Sequence, residues 1–149
     1  MGKIVLARID ERLVHGQVMT NLSKSAGANA IFIVDDQTAK DEFMKTIFIS
    51  SGSRTGLSVK VLSVEDAINY WNNEQFENFR VILLTKTIDV VDQLVQGGLE
   101  FDSLNVGGIA KKPGTEYVIK AVGINAEQAS VLKRLNEEHG IEVYFQAVP

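Results

Sequence analysis

Three side chains suited to handling a phosphoryl group stand close together near the start of the chain: the Asp10 carboxylate, the Arg12 guanidinium and the His15 imidazole. At neutral pH an imidazole keeps a free nitrogen that can attack phosphorus without a strong base beside it. A guanidinium stays charged, and its planar fork matches two phosphate oxygens at once. Gly16 and Gln17 follow His15 at the expected start of a helix, where unpaired backbone N–H groups and the positive end of the helix dipole make a phosphate cradle. Gly16 also lets a phosphoryl group come close to the backbone. Asp10 either orients Arg12 or His15 or caps that first helix. A lone loop histidine is more often a surface or capping residue. What makes His15 a candidate nucleophile is its place in the first loop after a strand, three residues beyond Arg12.

The elements that must position these groups are read from hydrophobic period. Short runs, most of them rich in Val and Ile, predict strands over residues 3–9, 30–35, 58–62, 80–84, 103–106, 117–122 and 142–147. Between most of them, apolar residues three or four apart predict amphipathic helices over 16–25, 41–50, 64–72, 90–96 and 126–138. Ser63 ahead of Glu65 and Asp66 reads as an N-cap, Asn125 with Gln128 as a capping box, and Gly140 as a left-handed C-cap just after His139. Gly97-Gly98, Gly107-Gly108 and Gly114 read as loop punctuation. Alternating strand and helix predict an α/β fold: an open, twisted, predominantly parallel sheet with helices on both faces, in a single domain over 1–149. In such sheets ligands bind beyond the carboxyl ends of the strands. That directs attention to residues 10–17, to Asp35 and Asp36, to residues 85–87, and to Gly107 and Gly108.

Composition removes whole classes. The 149 residues carry 15 Lys and Arg against 19 Asp and Glu, a formal charge of −4, with 45% hydrophobic and 23% charged residues. Those are ordinary globular values, and one domain is the expectation at about 100–200 residues each. The absence of cysteine excludes disulfides, a thiol nucleophile, a Cys-zinc site and an iron–sulfur cluster. Scattered basic residues and an acidic balance argue against nucleic acid and against a polybasic membrane anchor. With Asp10, Glu11 and Arg12 arriving too soon for a secretory signal, and no apolar run near the ~18 residues of a spanning helix, a cytoplasmic protein is expected.

The stretch Arg8-Ile9-Asp10-Glu11-Arg12-Leu13-Val14-His15-Gly16-Gln17-Val18 closely resembles the active-site signature of the IIB components of the mannose/fructose/sorbose family of the bacterial phosphoenolpyruvate-dependent sugar phosphotransferase system. Val34-Asp35-Asp36, Asn105-Val106-Gly107-Gly108 and the C-terminal Phe145-Gln146-Ala147-Val148-Pro149 are similar to further landmarks of that family, and the resemblance runs the length of the chain. It implies a phosphocarrier and sugar phosphotransferase. The histidine of the signature, here His15, takes a phosphoryl group on its δ1 nitrogen from a phosphohistidine of a IIA protein or domain. It then passes the group to a sugar entering through the IIC and IID membrane components. The resemblance associates Arg12 with that second transfer, implies no cofactor, and places the carrier at the inner face of the membrane through its partners, with homodimers formed by some members. Glu11, Val14 and Ala147 depart from the common residues of the pattern, and none of them removes a reactive group.

The rival readings are weaker. Asp35 and Asp36 suggest a magnesium site or, with Thr85 and Lys86, a receiver-type phosphoacceptor. The acidic pair stands after the wrong strand for a receiver, however, and a helix-start or loop-ordering role at the border of the cleft is the better reading. Neither G-x-G-x-x-G after the first strand nor a P-loop sequence is present, which argues against nucleotide binding. A non-catalytic phosphate- or partner-binding regulatory module of the same fold, with His15 structural, is the remaining alternative. His139 reads as a cation on a helix C-terminus, Tyr70 and Trp71 as packing, and Asn21-Leu22-Ser23 as a sequon that an intracellular chain would never present for glycosylation.

Overall fold

The computed structural model describes residues 1–13, 24 and 26–146. His15, Gly16, Gln17, all of the expected helix over 16–25 except Lys24, the sequon and residues 147–149 lie outside the described residues.

The sheet is built on strands β1 (Lys3–Asp10), β2 (Ala30–Val34), β3 (Ser58–Leu62), β4 (Arg80–Thr85), β5 (Ser103–Gly108) and β8 (Glu142–Phe145). They are hydrogen-bonded in the order β3-β2-β4-β1-β5-β8, every pair parallel. The helices are α1 (Asp36–Lys40), α2 (Glu42–Ser53), α3 (Val64–Glu74), α4 (Ile88–Gln96) and α5 (Ala126–His139). Each starts where a short polar side chain stops: Asp35, Asp41, Ser63, Thr87 and Asn125 all accept a first-turn backbone N–H. Asn125 and Gln128 form the reciprocal capping box, and Gly140 ends α5 at φ 67°.

Period-two alternation sorts the strand residues onto two faces. Phe32 and Val34 of β2 and Val81 and Leu83 of β4 join Ala67 and Trp71 of α3, Val91 and Leu94 of α4, and Leu132 and Leu135 of α5 in one core. Ile31, Ile33, Ile82 and Leu84 face the other way and pack with Val61 and Phe48 of α2. β2 is buried along its whole length, as expected of a strand covered on both faces. In β1 a register shift between Ile4 and Leu6 interrupts the alternation, so Ile4 shares the first core with Ala7 and Ile9 while Leu6 enters the second.

Three expectations change. The run 117–122 is not one strand of the sheet: β6 (Glu116–Ile119) turns through Lys120 and Ala121 into antiparallel β7 (Val122–Ile124), a separate hairpin. Its first strand exposes Tyr117 and Val118, whereas Val122 is buried against the end of β5 through Ile109. The loop after β2 contains the short helix α1, ended by Asp41, which in turn caps α2. Gly107 and Gly108 are the last residues of β5 rather than a loop.

Candidate functional site

β1 delivers Arg8 and Asp10 to the carboxyl edge of the sheet between β4 and β5, with Ile9 opposite Thr85 on one side and Asp10 opposite Gly108 on the other. Both charged side chains are buried, Arg8 at 0% and Asp10 at 1% exposure. Burial of opposite charges is tolerated only when they are paired and hydrogen-bonded. Here Arg8 Nη2 donates to Asp10 Oδ2 at 3.2 Å, and Arg8 Nη1 donates to the carbonyl of Gln146 at 3.2 Å. Burial pushes the Arg8 guanidinium below its usual value, against the pull of Asp10.

Asp10 also holds Arg12. The Arg12 backbone N–H and Nε both donate to Asp10 Oδ1 at 3.0 Å, while Nη2 donates to Oδ2 at 2.8 Å. One buried carboxylate thus bridges two guanidinium groups, and the second is a bidentate pair of fixed geometry. The hydrogen bonds to Asp10 raise the Arg12 pKa above its ordinary value. Its side chain is 52% exposed, so the N–H groups not spent on Asp10 face a solvent-accessible cleft. Leu13 closes the turn: its N–H donates to the Asp10 carbonyl at 2.9 Å, with φ at 56° and the side chain buried. A leucine in the left-handed region is uncommon and persists where its surroundings impose it.

The sequence landmarks converge on this carboxylate. Asn105 Nδ2 donates to Gln146 Oε1 at 3.1 Å, and the Gln146 N–H donates to the Val106 carbonyl, so the C-terminal strand is tied to β5 where Arg8 reaches it. Gly107 makes room for Arg8: a Cβ there would lie 2.0 Å from Arg8 Cζ. A Cβ on Gly108 would lie 2.7 Å from Asp10 Oδ1. The end of a free arginine would swing aside, but this one is buried and held at Nη1 and Nη2. Gly107→Ala is therefore expected to break the Arg8–Asp10 contact and cost about 3 kcal/mol, the upper range of overpacking, seen as a lower denaturant midpoint with unchanged m-value.

Asp35 and Asp36 have structural occupations. Asp35 Oδ2 accepts from the Thr38 N–H at 3.0 Å and from its hydroxyl at 2.6 Å, and lies 3.8 Å from Lys86 Nζ. Asp36 Oδ1 accepts from the Val64 N–H at 2.8 Å, tying α1 to the start of α3. Among the described residues no group of three or more His, Asp or Glu is placed to hold a metal ion. Glu11 pairs with Lys112 Nζ at 2.8 Å on the hairpin side of the cleft. Two cavities flank Arg12: one of about 310 Å³ with Asp10, Gly108, Ile109 and Ala121, and one of about 320 Å³ with Leu13, Gln37, Thr38 and Lys86. Arg8 is the residue that sequence reasoning passed over as an ordinary strand position. An arginine in the middle of an otherwise apolar run was the available sign of a buried ion pair.

The profile of the family described as "PTS system sorbose subfamily IIB component" matches residues 4–149. The chain is 38% identical over 135 residues to the "PTS system sorbose-specific EIIB component" of Lacticaseibacillus casei, covering 90% of this chain and 81% of that one. It is 37% identical over 145 residues to the "PTS system mannose-specific EIIAB component" of Escherichia coli K12, covering 97% of this chain and 44% of that longer protein. The crystal structure of manxB from Thermoanaerobacter tengcongensis superposes with a TM-score of 0.89 at 38% identity, covering 100% of this chain and 89% of the other.

Proposed function

Since the chain belongs to the sorbose subfamily of IIB components of the sugar phosphotransferase system, we propose that it carries phosphate on His15 between a phosphorylated IIA protein or domain and a sugar entering through IIC and IID membrane components. In the first step the His15 imidazole nitrogen attacks phosphorus and the bond to the donor imidazole breaks. In the second a sugar hydroxyl oxygen attacks phosphorus, the bond to His15 breaks, and the hydroxyl proton ends on the departing imidazole, which leaves neutral. Such transfers ask the protein for placement, charge neutralisation and exclusion of water. The observation that carries this reading is the Asp10 clamp, which fixes the Arg12 fork at the end of β1 with N–H groups still facing the cleft, three residues before His15. Gly16 and Gln17 supply backbone N–H groups to the phosphate. Asp10 is the positioning residue, and Asp35 and Asp36 order the far border of the cleft.

The EIIAB name of the mannose-specific relative supports a IIA partner. No helix among the described residues is long and apolar enough to cross a membrane, which fits a carrier held at the cytoplasmic face by its protein partners. A homodimer, as formed by some members of the family, is a further proposal. The alternative of a non-catalytic module has no observation in its favour.

The Arg12→Gln variant separates the two steps. It is expected to accept phosphate from phosphorylated IIA at a near-normal rate and to form sugar phosphate about 100-fold more slowly, as when one charge-stabilising donor is removed from a transition state. Arg12→Lys, a point charge without the fork, should recover only part of the loss. Normal sugar phosphorylation by Arg12→Gln would refute the role assigned to Arg12.

A further inference from the structure

Lys86 follows β4 directly, and the pairing of Ile9 with Thr85 places it beside Asp10 at the carboxyl edge of the sheet. From β1 the chain passes to β2, beyond β4, while from β4 it passes to β5, beyond β1. The connections leave this adjacent pair in opposite directions, which is how open α/β sheets form a ligand crevice. Arg12 enters the crevice from the β1 end and Lys86 from the β4 end, and the two line the same cavity of about 320 Å³. The Lys86 ammonium lies 3.8 Å from Asp35 Oδ2, an oxygen already accepting two hydrogen bonds from Thr38. At that distance and 37% side-chain exposure the pair is loose and contributes little to the fold. The ammonium therefore keeps its donors for a stronger anion.

We propose that Lys86 is a second phosphate-contacting cation of this site, closing on the phosphoryl group from the β4 side while Arg12 holds it from the β1 side. The proposal deepens the carrier reading and rests on it. Lys86 makes and breaks no covalent bond and moves no proton; its charge neutralises one phosphoryl oxygen as the group arrives and leaves. A compact ammonium on a flexible stem suits that task, because the anion is present for only part of the cycle.

The test compares the wild type, Lys86→Gln and Lys86→Arg, each charged from phosphorylated IIA, by rapid-quench rates of phosphoryl transfer and by phosphorus-31 titration of the charged carrier. Lys86→Gln is expected to transfer about 10- to 100-fold more slowly, the loss of one charge-assisted hydrogen bond. A nearby cation favours the dianionic phosphoryl group, so its removal should also move the second phosphoryl ionisation to higher pH. Lys86→Arg should restore most of both. Rates within twofold of wild type with an unmoved titration in Lys86→Gln would overturn the proposal. So would a lowered melting temperature with an unmoved titration, which would assign Lys86 to the fold through Asp35. A wild type that takes up no phosphate would overturn the carrier reading first and this proposal with it, and the wild-type arm tells those failures apart.

Discussion

His15→Ala is expected to take up no phosphate from phosphorylated IIA and to support no sugar phosphorylation, while its circular dichroism and melting curve serve as the check that the loss is chemical. The effect should be total rather than partial because the chain has only one other histidine. His139 ends α5 and lines a cavity with Gly2, Lys3 and Asp102 at the amino edge of the sheet, the edge opposite Asp10 and Arg12. There is no cysteine to substitute as nucleophile. Arg12 and Lys86 stabilise charge but offer no stable phosphoryl acceptor. Residual sugar phosphorylation by His15→Ala would mean that the phosphoryl group travels by another residue.

Asp10→Ala is the second large expected effect, and it acts on fold and function together. Removing the carboxylate leaves the Arg8 guanidinium buried with only the Gln146 carbonyl as an acceptor among the described residues, and leaves Arg12 without the three donations that aim it. Breaking a buried ion pair from one side costs about 3–5 kcal/mol, because the remaining charge is uncompensated. A denaturant melt should show this as a marked fall in midpoint. The double variant Arg8→Met with Asp10→Leu removes both charges and should recover much of that stability. It should not recover sugar phosphorylation, since Arg12 still lacks its clamp. Recovery of activity in the double variant would show that Arg12 needs no positioning by Asp10.

How far the sequence could be read follows from which signals are local. The six parallel strands were legible because each is a short run and most are rich in Val and Ile, and α3 and α5 because Ser63, Asn125 and Gly140 announce their ends. The hairpin of β6 and β7 was not, because 117–122 has the same composition as a strand and only the turn at Lys120 and Ala121 divides it. Helix α1 was hidden because five residues carry no readable period, although Asp35 as a cap was the clue. At the site, Asp10 and Arg12 were visible as reactive types at close spacing. Arg8, Gly107 and Gln146 stood inside recognisable landmarks, but their contact with one another was not legible, since it joins β1, β5 and the end of β8 across more than a hundred residues. A glycine needed to admit an arginine reads, in sequence, like any loop glycine. Lys86 was legible as a residue just beyond a strand end, whereas its place beside Arg12 follows from strand order, which local spacing does not encode.

Everything proposed for this chain rests on His15 carrying phosphate. Its most direct test is the intact mass of the purified protein after incubation with phosphoenolpyruvate, the general phosphotransferase components and a IIA protein already proven to be phosphorylated, alongside His15→Ala. One added phosphate is expected on the wild type, lost in mild acid as a phosphohistidine is, and none on His15→Ala. No phosphate on the wild type with a charged donor present, or the same phosphate retained by His15→Ala, would contradict it.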